Sequence, residues 1–150
     1  MGRVESFELD HTKVDAPFIR KVTVYTGAKG DKLTKFDIRF MQPNKEEMDM
    51  SGIHTLEHLM AVYLRDEKLG DEIIDLSPMG CRTGFYLTIW GDLDPEDVDE
   101  MILNTLKRVT EAEEVPAANE VQCGNAKAHD LKKAKEYSEK FIREMKEKTK

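Results

Sequence analysis

The fold is decided by RKVTVYTGAKGDKLTKFDIRF, residues 20–40. Residues 20–26 and 33–40 both alternate polar and apolar side chains, which is the two-residue period of a half-buried strand. The intervening GAKGDK has the glycines and the aspartate of a turn. The segment therefore predicts a β-hairpin. In its second strand the apolar side chains share one face, and Asp37 and Arg39 lie on the opposite face.

Outward from this hairpin the pattern changes to helices and then back to strands. Residues 49–67 follow a helical period, and the apolar stretches in DEIIDLS and FYLTIW predict two more strands. Asp94 as N-cap followed by Pro95 predicts the start of a second helix. After the loop VPAANEVQCGNAKAHD, a last amphipathic helix begins near Leu131.

Short connections between the strands favour antiparallel pairing. We therefore expect an α+β fold with two layers, an antiparallel sheet with the helices packed on one face. A chain of 150 residues is the usual size of one domain, and we expect residues 1–150 to form one.

The charge and hydropathy of the chain indicate which kinds of binding partner it does not have. The net charge of −7 argues against nucleic acid, because phosphates would repel such a surface. No apolar run approaches the roughly 20 residues that cross a bilayer, so no membrane association is expected. The first residues lack the apolar stretch of a secretory signal, which predicts the cytoplasm. There a disulfide between Cys81 and Cys123 is disfavoured, and each thiol needs its own explanation.

The motif His54-Thr55-Leu56-Glu57-His58 has the pattern H-x-x-E-H. Histidines four residues apart project from adjacent turns of one helix face, so both imidazoles can reach one ion. Glu57 lies on that face and can act as a base beside the metal. The alternative is two ordinary surface histidines, but the opposite face of this helix is already a complete apolar face. The motif therefore predicts a metal site.

Two histidines need at least one more ligand, and Cys123 in the polar loop Gln122-Cys123-Gly124 is the best candidate. The residues alone leave open whether Cys123 is a ligand or a small buried side chain. Cys81, between Gly80 and Arg82, is a candidate acid/base or nucleophile because neighbouring cations favour a thiolate. An inert thiol at a strand edge is the alternative.

Four stretches together resemble the S-ribosylhomocysteine lyase family: ESFELDHTKVDAPFIR, SGIHTLEHLMA, DLSPMGCRTGFY and PAANEVQCGNAKAHDL. The resemblance runs from about Val4 to Leu131 with the same order and spacing. It implies a homodimer with two identical sites at the subunit interface. It also implies one divalent metal per subunit, Fe²⁺ as the native ion, with Zn²⁺ or Co²⁺ as frequent substitutes.

The resemblance assigns roles to single residues. His54, His58 and Cys123 match the metal ligands, and Glu57 and Cys81 match the two acid/base residues. The positions that contact the substrate, or support those that do, match Ser6, Phe7, His11, Arg39 and Asp75. Arg39 could hold Cys81 as a thiolate by its charge, which we state as a hypothesis.

The implied reaction moves the carbonyl of ring-opened S-ribosylhomocysteine from C1 to C2 and then to C3. A β-elimination across C4 and C5 then releases homocysteine and leaves 4,5-dihydroxy-2,3-pentanedione, the precursor of autoinducer-2. Protons leave one carbon and return to the next, so bases are needed on more than one side of the substrate. A thiolate and a carboxylate meet that need.

Two other functions share parts of this pattern. H-x-x-E-H also marks inverted zinc peptidases, which take a downstream glutamate as third ligand and leave both cysteines without a role. A non-enzymatic zinc-stabilised binding module would need a fourth protein ligand, for which His129 or His11 are candidates. Neither histidine has zinc-finger spacing to a cysteine or another histidine.

Overall fold

The predicted hairpin is present in the computed structural model, which describes residues 2–149. Strands β1 (Phe18–Thr26) and β2 (Lys32–Arg39) pair antiparallel. The first strand starts at Phe18, two residues earlier than the alternation indicated, because Phe18 still pairs with Arg39. A register shift between Lys21 and Thr23 marks a bulge in the edge strand β1.

Two later strands complete the sheet. Strands β3 (Ile73–Pro78) and β4 (Gly84–Trp90) give the order β1-β2-β4-β3, with every neighbouring pair antiparallel. Glycine is required at the start of β4, because a Cβ atom on Gly84 would lie 2.3 Å from the carbonyl oxygen of Ile38. This close approach holds the β3–β4 turn, which carries Cys81, against the end of β2.

Four α-helices accompany the sheet in the described residues 2–149: α1 (Glu5–Glu8), α2 (Met50–Arg65), α3 (Pro95–Glu111) and α4 (Leu131–Lys148). Helix α3 starts where the sequence predicted, with Pro95 in its first turn and a reciprocal capping box between Asp94 and Asp97. Helix α2 is slightly shorter than its periodic stretch. The one-turn helix α1 was not predicted, since four residues show no periodicity.

The core lies between the helices and one face of the sheet. Phe36 and Ile38 of β2 and Leu87 of β4 are fully buried there, together with Leu56 and Leu59 of α2. Helix α2 packs on β3, α3 and α4. The predicted α+β architecture, an antiparallel sheet with helices packed against it, is confirmed.

The opposite face of the sheet is polar in sequence and yet partly buried. Asp37 and Arg39 lie there, as the alternation predicted, but only 0% and 1% of their surfaces are exposed. The N-terminal segment covers them, and Glu5 of α1 forms an ion pair with Arg20 of β1 on this face. Further along the same face Tyr25 remains exposed. Within residues 2–149, no helix has the length and apolar character to cross a membrane.

Candidate metal centre and active site

Helix α2 carries the H-x-x-E-H motif on the side that faces away from the core. His54 and His58 are half-buried, and their ring centroids lie 4.7 Å apart. Glu57 is half-buried on the same side, whereas Leu56 and Leu59 fill the core. The 3.6-residue period therefore separates the chemical face of α2 from its packing face.

A backbone carbonyl orients each of these two imidazoles. His54 Nδ1 lies 2.8 Å from the carbonyl oxygen of Ala128, and His58 Nδ1 lies 2.8 Å from that of Pro116. A carbonyl only accepts hydrogen bonds, so each Nδ1 carries the hydrogen and donates it. Each Nε2 then presents its lone pair, which is the usual arrangement of histidines that bind metals.

Cys123, the third predicted ligand, lies beside the two histidines. Its Sγ atom lies 3.4 Å from His54 Nε2, and candidate ligand atoms of His54, His58, Cys123 and His129 all lie within 4.8 Å of one another. Ligands that share a tetrahedral ion at 2.0–2.3 Å are about 3.5 Å apart. The spacing and the two available lone pairs therefore fit a divalent ion.

The fourth member of this cluster is His129, at the entry to α4. Its ring stacks on that of His54 with centroids 3.9 Å apart. His129 Nδ1 lies 2.9 Å from Thr55 Oγ1, and Nε2 lies 3.8 Å from Cys123 Sγ. Burial lowers the pKa of His129, and the neighbouring His54 and His58 lower it further. His129 is therefore neutral at pH 7.

The second reactive residue, Cys81, lies in a different place. It lines a cavity of about 450 Å³ together with Ser6, Phe7, His11 and Arg39. An adjoining cavity of about 370 Å³ also contains Cys81, Arg39 and His11. No member of the metal cluster lines either cavity. Glu57 lines neither of these two cavities.

A buried ion-pair network lies behind Cys81. Arg39 Nε and Nη2 donate to the two carboxylate oxygens of Asp37 at 3.0 and 2.7 Å, and Arg20 donates to the same carboxylate at 3.1 Å. Arg39 Nη1 donates to Thr83 Oγ1 at 3.2 Å, and Thr83 Oγ1 lies 3.0 Å from Cys81 Sγ. The hydrogen bonds therefore link Arg39 to Cys81 through Thr83.

Asp75 is apart from both groups. It is exposed on β3, where its carboxylate accepts a hydrogen bond from Ser77, and it lines neither cavity around Cys81. In one chain, therefore, four of the five residues matched to substrate contacts lie together with Cys81, and Asp75 does not.

Comparison with known proteins gives this arrangement a family. The model of the family described as S-Ribosylhomocysteinase (LuxS) matches residues 4–150. S-ribosylhomocysteine lyase of Clostridium perfringens strain 13 is 56% identical over 142 residues, which cover 95% of this chain and 93% of that protein. The enzymes of the same name from Clostridioides difficile strain 630 and Staphylococcus haemolyticus are each 55% identical, over 95% and 93% of this chain and 93% and 88% of their own lengths. The chain belongs to the LuxS family.

In this LuxS-family chain several neighbours of the site carry no motif of their own. Thr83, Asp37 and Thr55 have no distinguishing pattern, and their contacts depend on which elements pack together. The sequence predicts His129 only as a candidate fourth ligand that would close a zinc module. A better sequence signal was its position at the start of a helix six residues after Cys123.

Proposed function

We propose that this chain is a metal-dependent S-ribosylhomocysteine lyase. It cleaves the thioether of its substrate to give homocysteine and 4,5-dihydroxy-2,3-pentanedione, and it works as one domain in the cytoplasm. The observation that carries the proposal is the oriented cluster of His54, His58 and Cys123 in a chain that matches this family almost end to end.

One divalent ion per subunit binds through His54 Nε2, His58 Nε2 and Cys123 Sγ, with Fe²⁺ as the natural ion and Zn²⁺ or Co²⁺ as substitutes. When bound, the ion supplies Lewis acidity that polarises a carbonyl oxygen and makes the neighbouring C–H group more acidic. The cluster that supports this set contains a thiol and no downstream glutamate, so it does not favour a peptidase.

The presence of His129 in the cluster raises the alternative of a closed, structural zinc site. The hydrogen bonds argue against it. Thr55 Oγ1 accepts from the backbone N–H of Asp130 at 2.9 Å, and we assign its one hydrogen to His129 Nδ1, which lies 2.9 Å away. Neutral His129 then carries its hydrogen on Nε2, which points at Cys123 Sγ and has no lone pair for an ion. His129 is a hydrogen-bond donor to the ligand Cys123, and a position stays open for substrate.

Glu57 and Cys81 carry out the proton transfers. In each carbonyl migration a base removes the proton from the carbon next to the carbonyl, and an acid returns a proton to the former carbonyl carbon. In the last step a base removes the C4 proton, the C4–C5 double bond forms and the C5–S bond breaks. The departing sulfur takes a proton and leaves as homocysteine, and the enol that remains takes up a proton at C5 and loses its hydroxyl proton to give the dione. A carboxylate and a thiolate on opposite sides of the substrate can serve all three steps.

The substrate is bound by the residues around Cys81. Ser6 and His11 offer a hydroxyl and an imidazole to polar groups, Arg39 stabilises negative charge, and Phe7 closes the pocket wall. Asp75 acts as a supporting residue from β3. Phe7 is 84% exposed in the single chain, which is unusual for an aromatic side chain unless another surface covers it.

A homodimer supplies the missing contact between Glu57 and Cys81. Ser6 and Phe7, which match substrate positions of a site that the resemblance places at the subunit interface, line the same cavity as Cys81 in this chain. If the N-terminal segment reaches the other subunit's metal, Cys81 and Arg39 reach it too. Each active site thus combines the metal half of one subunit with the Cys81 half of the other.

Subunit complementation tests function and assembly together. Co-expression of Glu57→Gln and Cys81→Ala chains with different affinity tags yields a purified heterodimer with one intact site and one doubly disabled site. We expect the heterodimer to release homocysteine from S-ribosylhomocysteine at about half the wild-type rate, while both variant homodimers are nearly inactive. An inactive heterodimer would contradict the shared site. Wild-type enzyme that releases no homocysteine would contradict the function.

A further inference from the structure

We infer that Thr83 is a positioning residue that keeps Cys81 in its reactive thiolate form by a directed hydrogen bond. The inference deepens the proposed function, because it concerns the acid/base group of that same site. The inference is tested by the chemical reactivity of Cys81, which can be measured without turnover of substrate. Thr83 is 4% exposed and its Oγ1 atom lies between Arg39 and Cys81.

The direction of the hydrogen bonds follows from the donors available. The guanidinium of Arg39 can only donate, so its contact of 3.2 Å to Thr83 Oγ1 makes that oxygen the acceptor. The hydroxyl keeps one hydrogen, and Cys81 Sγ at 3.0 Å is its partner. If the Cys81 thiol donated instead, the hydroxyl hydrogen would lose this partner at a nearly buried position. The arrangement thus favours sulfur as an acceptor, a role in which a thiolate is stronger than a neutral thiol.

Buried charge strengthens this preference. The side chain of Arg39 is 2% exposed and is held by the carboxylate of Asp37. Its contact with Thr83 polarises the hydroxyl and makes it a stronger donor towards sulfur. Arg39 has no direct hydrogen bond to Cys81 among the contacts of the described residues, so the hydrogen-bonded link between them runs through Thr83.

Other charged or titratable groups also face Cys81. His11 and Arg39 line both cavities, Lys45, Glu46 and Glu47 line one of them, and Tyr86 lines the other. Lys45, Glu46 and Glu47 are exposed, so water screens their charges. The neighbouring Arg82 is engaged with Glu47 at 2.6 Å.

The backbone fixes Thr83 in this position. Its carbonyl oxygen accepts hydrogen bonds from the backbone N–H groups of Phe40 and Met41 at 2.8 and 3.0 Å. These bonds tie the β3–β4 turn to the end of β2, where Arg39 lies. A substitution that keeps the shape of Thr83 should therefore remove the hydroxyl and little else.

The test compares Thr83→Val, which is nearly isosteric and lacks the hydroxyl, with Thr83→Ser, which retains it. Metal-loaded protein is treated with iodoacetamide at pH 7, and alkylation of the Cys81 peptide is followed by mass spectrometry, with the Cys123 peptide as internal reference. We expect the rate constant for Cys81 to fall about tenfold in Thr83→Val, since hydrogen bonds to charged groups are the strong ones. Thr83→Ser should stay within about twofold of wild type, and the Cys123 rate should be unchanged.

Two results would overturn the inference. One is a wild-type alkylation rate in Thr83→Val, and the other is an equal loss in Thr83→Ser, which would mean that shape and not the hydroxyl matters. Thermal unfolding of both variants shows that the fold is retained. Homocysteine release is measured separately. If wild type releases none while the alkylation pattern holds, the lyase proposal fails and the role of Thr83 stands.

Discussion

Single side chains at both halves of the site are oriented by partners that can only donate or only accept. Backbone carbonyls accept from His54 and His58, so their Nε2 lone pairs face Cys123. On the other half, a guanidinium that can only donate sets the direction of the Thr83 hydroxyl. A neighbour that can only accept or only donate fixes the direction of each hydrogen bond. The reactive atoms are thereby oriented before substrate binds.

The role of Glu57 can be separated from metal binding. Glu57→Gln should retain the divalent ion, because the ligand cluster does not include Glu57. Homocysteine release should fall by roughly 10²–10⁴-fold, the usual contribution of a general acid/base group. Metal analysis and a thiol-reagent assay on the same sample check both parts. Glu139→Gln, an exposed position on α4, is the control and should match wild type. Near-normal release by Glu57→Gln would contradict the assigned role.

Asp37 is a stability determinant as well as part of the site. Its fully buried carboxylate accepts hydrogen bonds from Arg39 and Arg20. Asp37→Asn leaves buried positive charge without its counter-ion, and we expect a loss of about 3–5 kcal/mol in the free energy of unfolding. Urea denaturation measures it. The exposed pair of Arg82 with Glu47 is the control, since Glu47→Gln should cost about 0–1 kcal/mol. Equal losses of unfolding free energy in Asp37→Asn and Glu47→Gln would show that burial of the ion pair does not cause the loss.

Helices α2 and α4 pack against each other, and this packing positions the metal cluster. Gly52 of α2 faces the ring of Tyr137 on α4, and the Tyr137 hydroxyl accepts a hydrogen bond from the backbone N–H of Asp49 just before α2. His129, at the entry to α4, is bonded to Thr55 one turn along α2. The two helices must therefore approach closely for His129 to reach the cluster.

A methyl group at position 52 should disturb this contact. A Cβ atom there would lie 2.6 Å from Tyr137 Cε2 and 3.1 Å from Lys133 Cβ. We expect Gly52→Ala to lower the free energy of unfolding by about 1–3 kcal/mol, although alanine is the better helix former. Chemical denaturation measures the loss. Met50→Ala, at a residue 65% exposed on the same helix, should change stability by less than about 0.5 kcal/mol. A stabilised Gly52→Ala variant would show that α4 can move away from the added methyl group without loss of stability.

At the scale of the whole molecule, the sheet has one face covered by helices and one face largely without them. Trp90 and Tyr25 lie opposite Leu33 on this open face, and 44% and 53% of their surfaces are exposed. The cavities around Cys81 open on the same side, where Arg39 lies. An aromatic patch on the same face of the sheet as the Cys81 cavities suits a surface that a second subunit covers.

A charge placed in this patch should weaken the proposed dimer. Trp90→Glu is expected to move the chain toward monomer in sedimentation experiments and to reduce homocysteine release in step, because burying a carboxylate is unfavourable. The bound metal should remain, since its ligands belong to one chain. Lys29→Glu in the exposed hairpin turn is the matched control and should remain dimeric. A fully active monomer would refute the shared site.

Local patterns were sufficient for much of this molecule. The alternation in residues 20–40 predicted the hairpin, and Asp94 with Pro95 predicted the start of α3. The four-residue spacing of His54 and His58 predicted that both imidazoles would lie on one helix face. These features were predictable because strand period, helix period and capping depend on residues within a few positions of each other.

Other features were decided only by the tertiary structure. Asp37 and Arg39 alternate like surface residues, yet they are buried because the N-terminal segment covers that face of the sheet. His129 joins the cluster because the loop before α4 turns back over α2, and Thr83 meets Arg39 because β4 pairs with β2. Such contacts join residues 15 to 74 positions apart. No local period specifies which of these segments will be buried against each other.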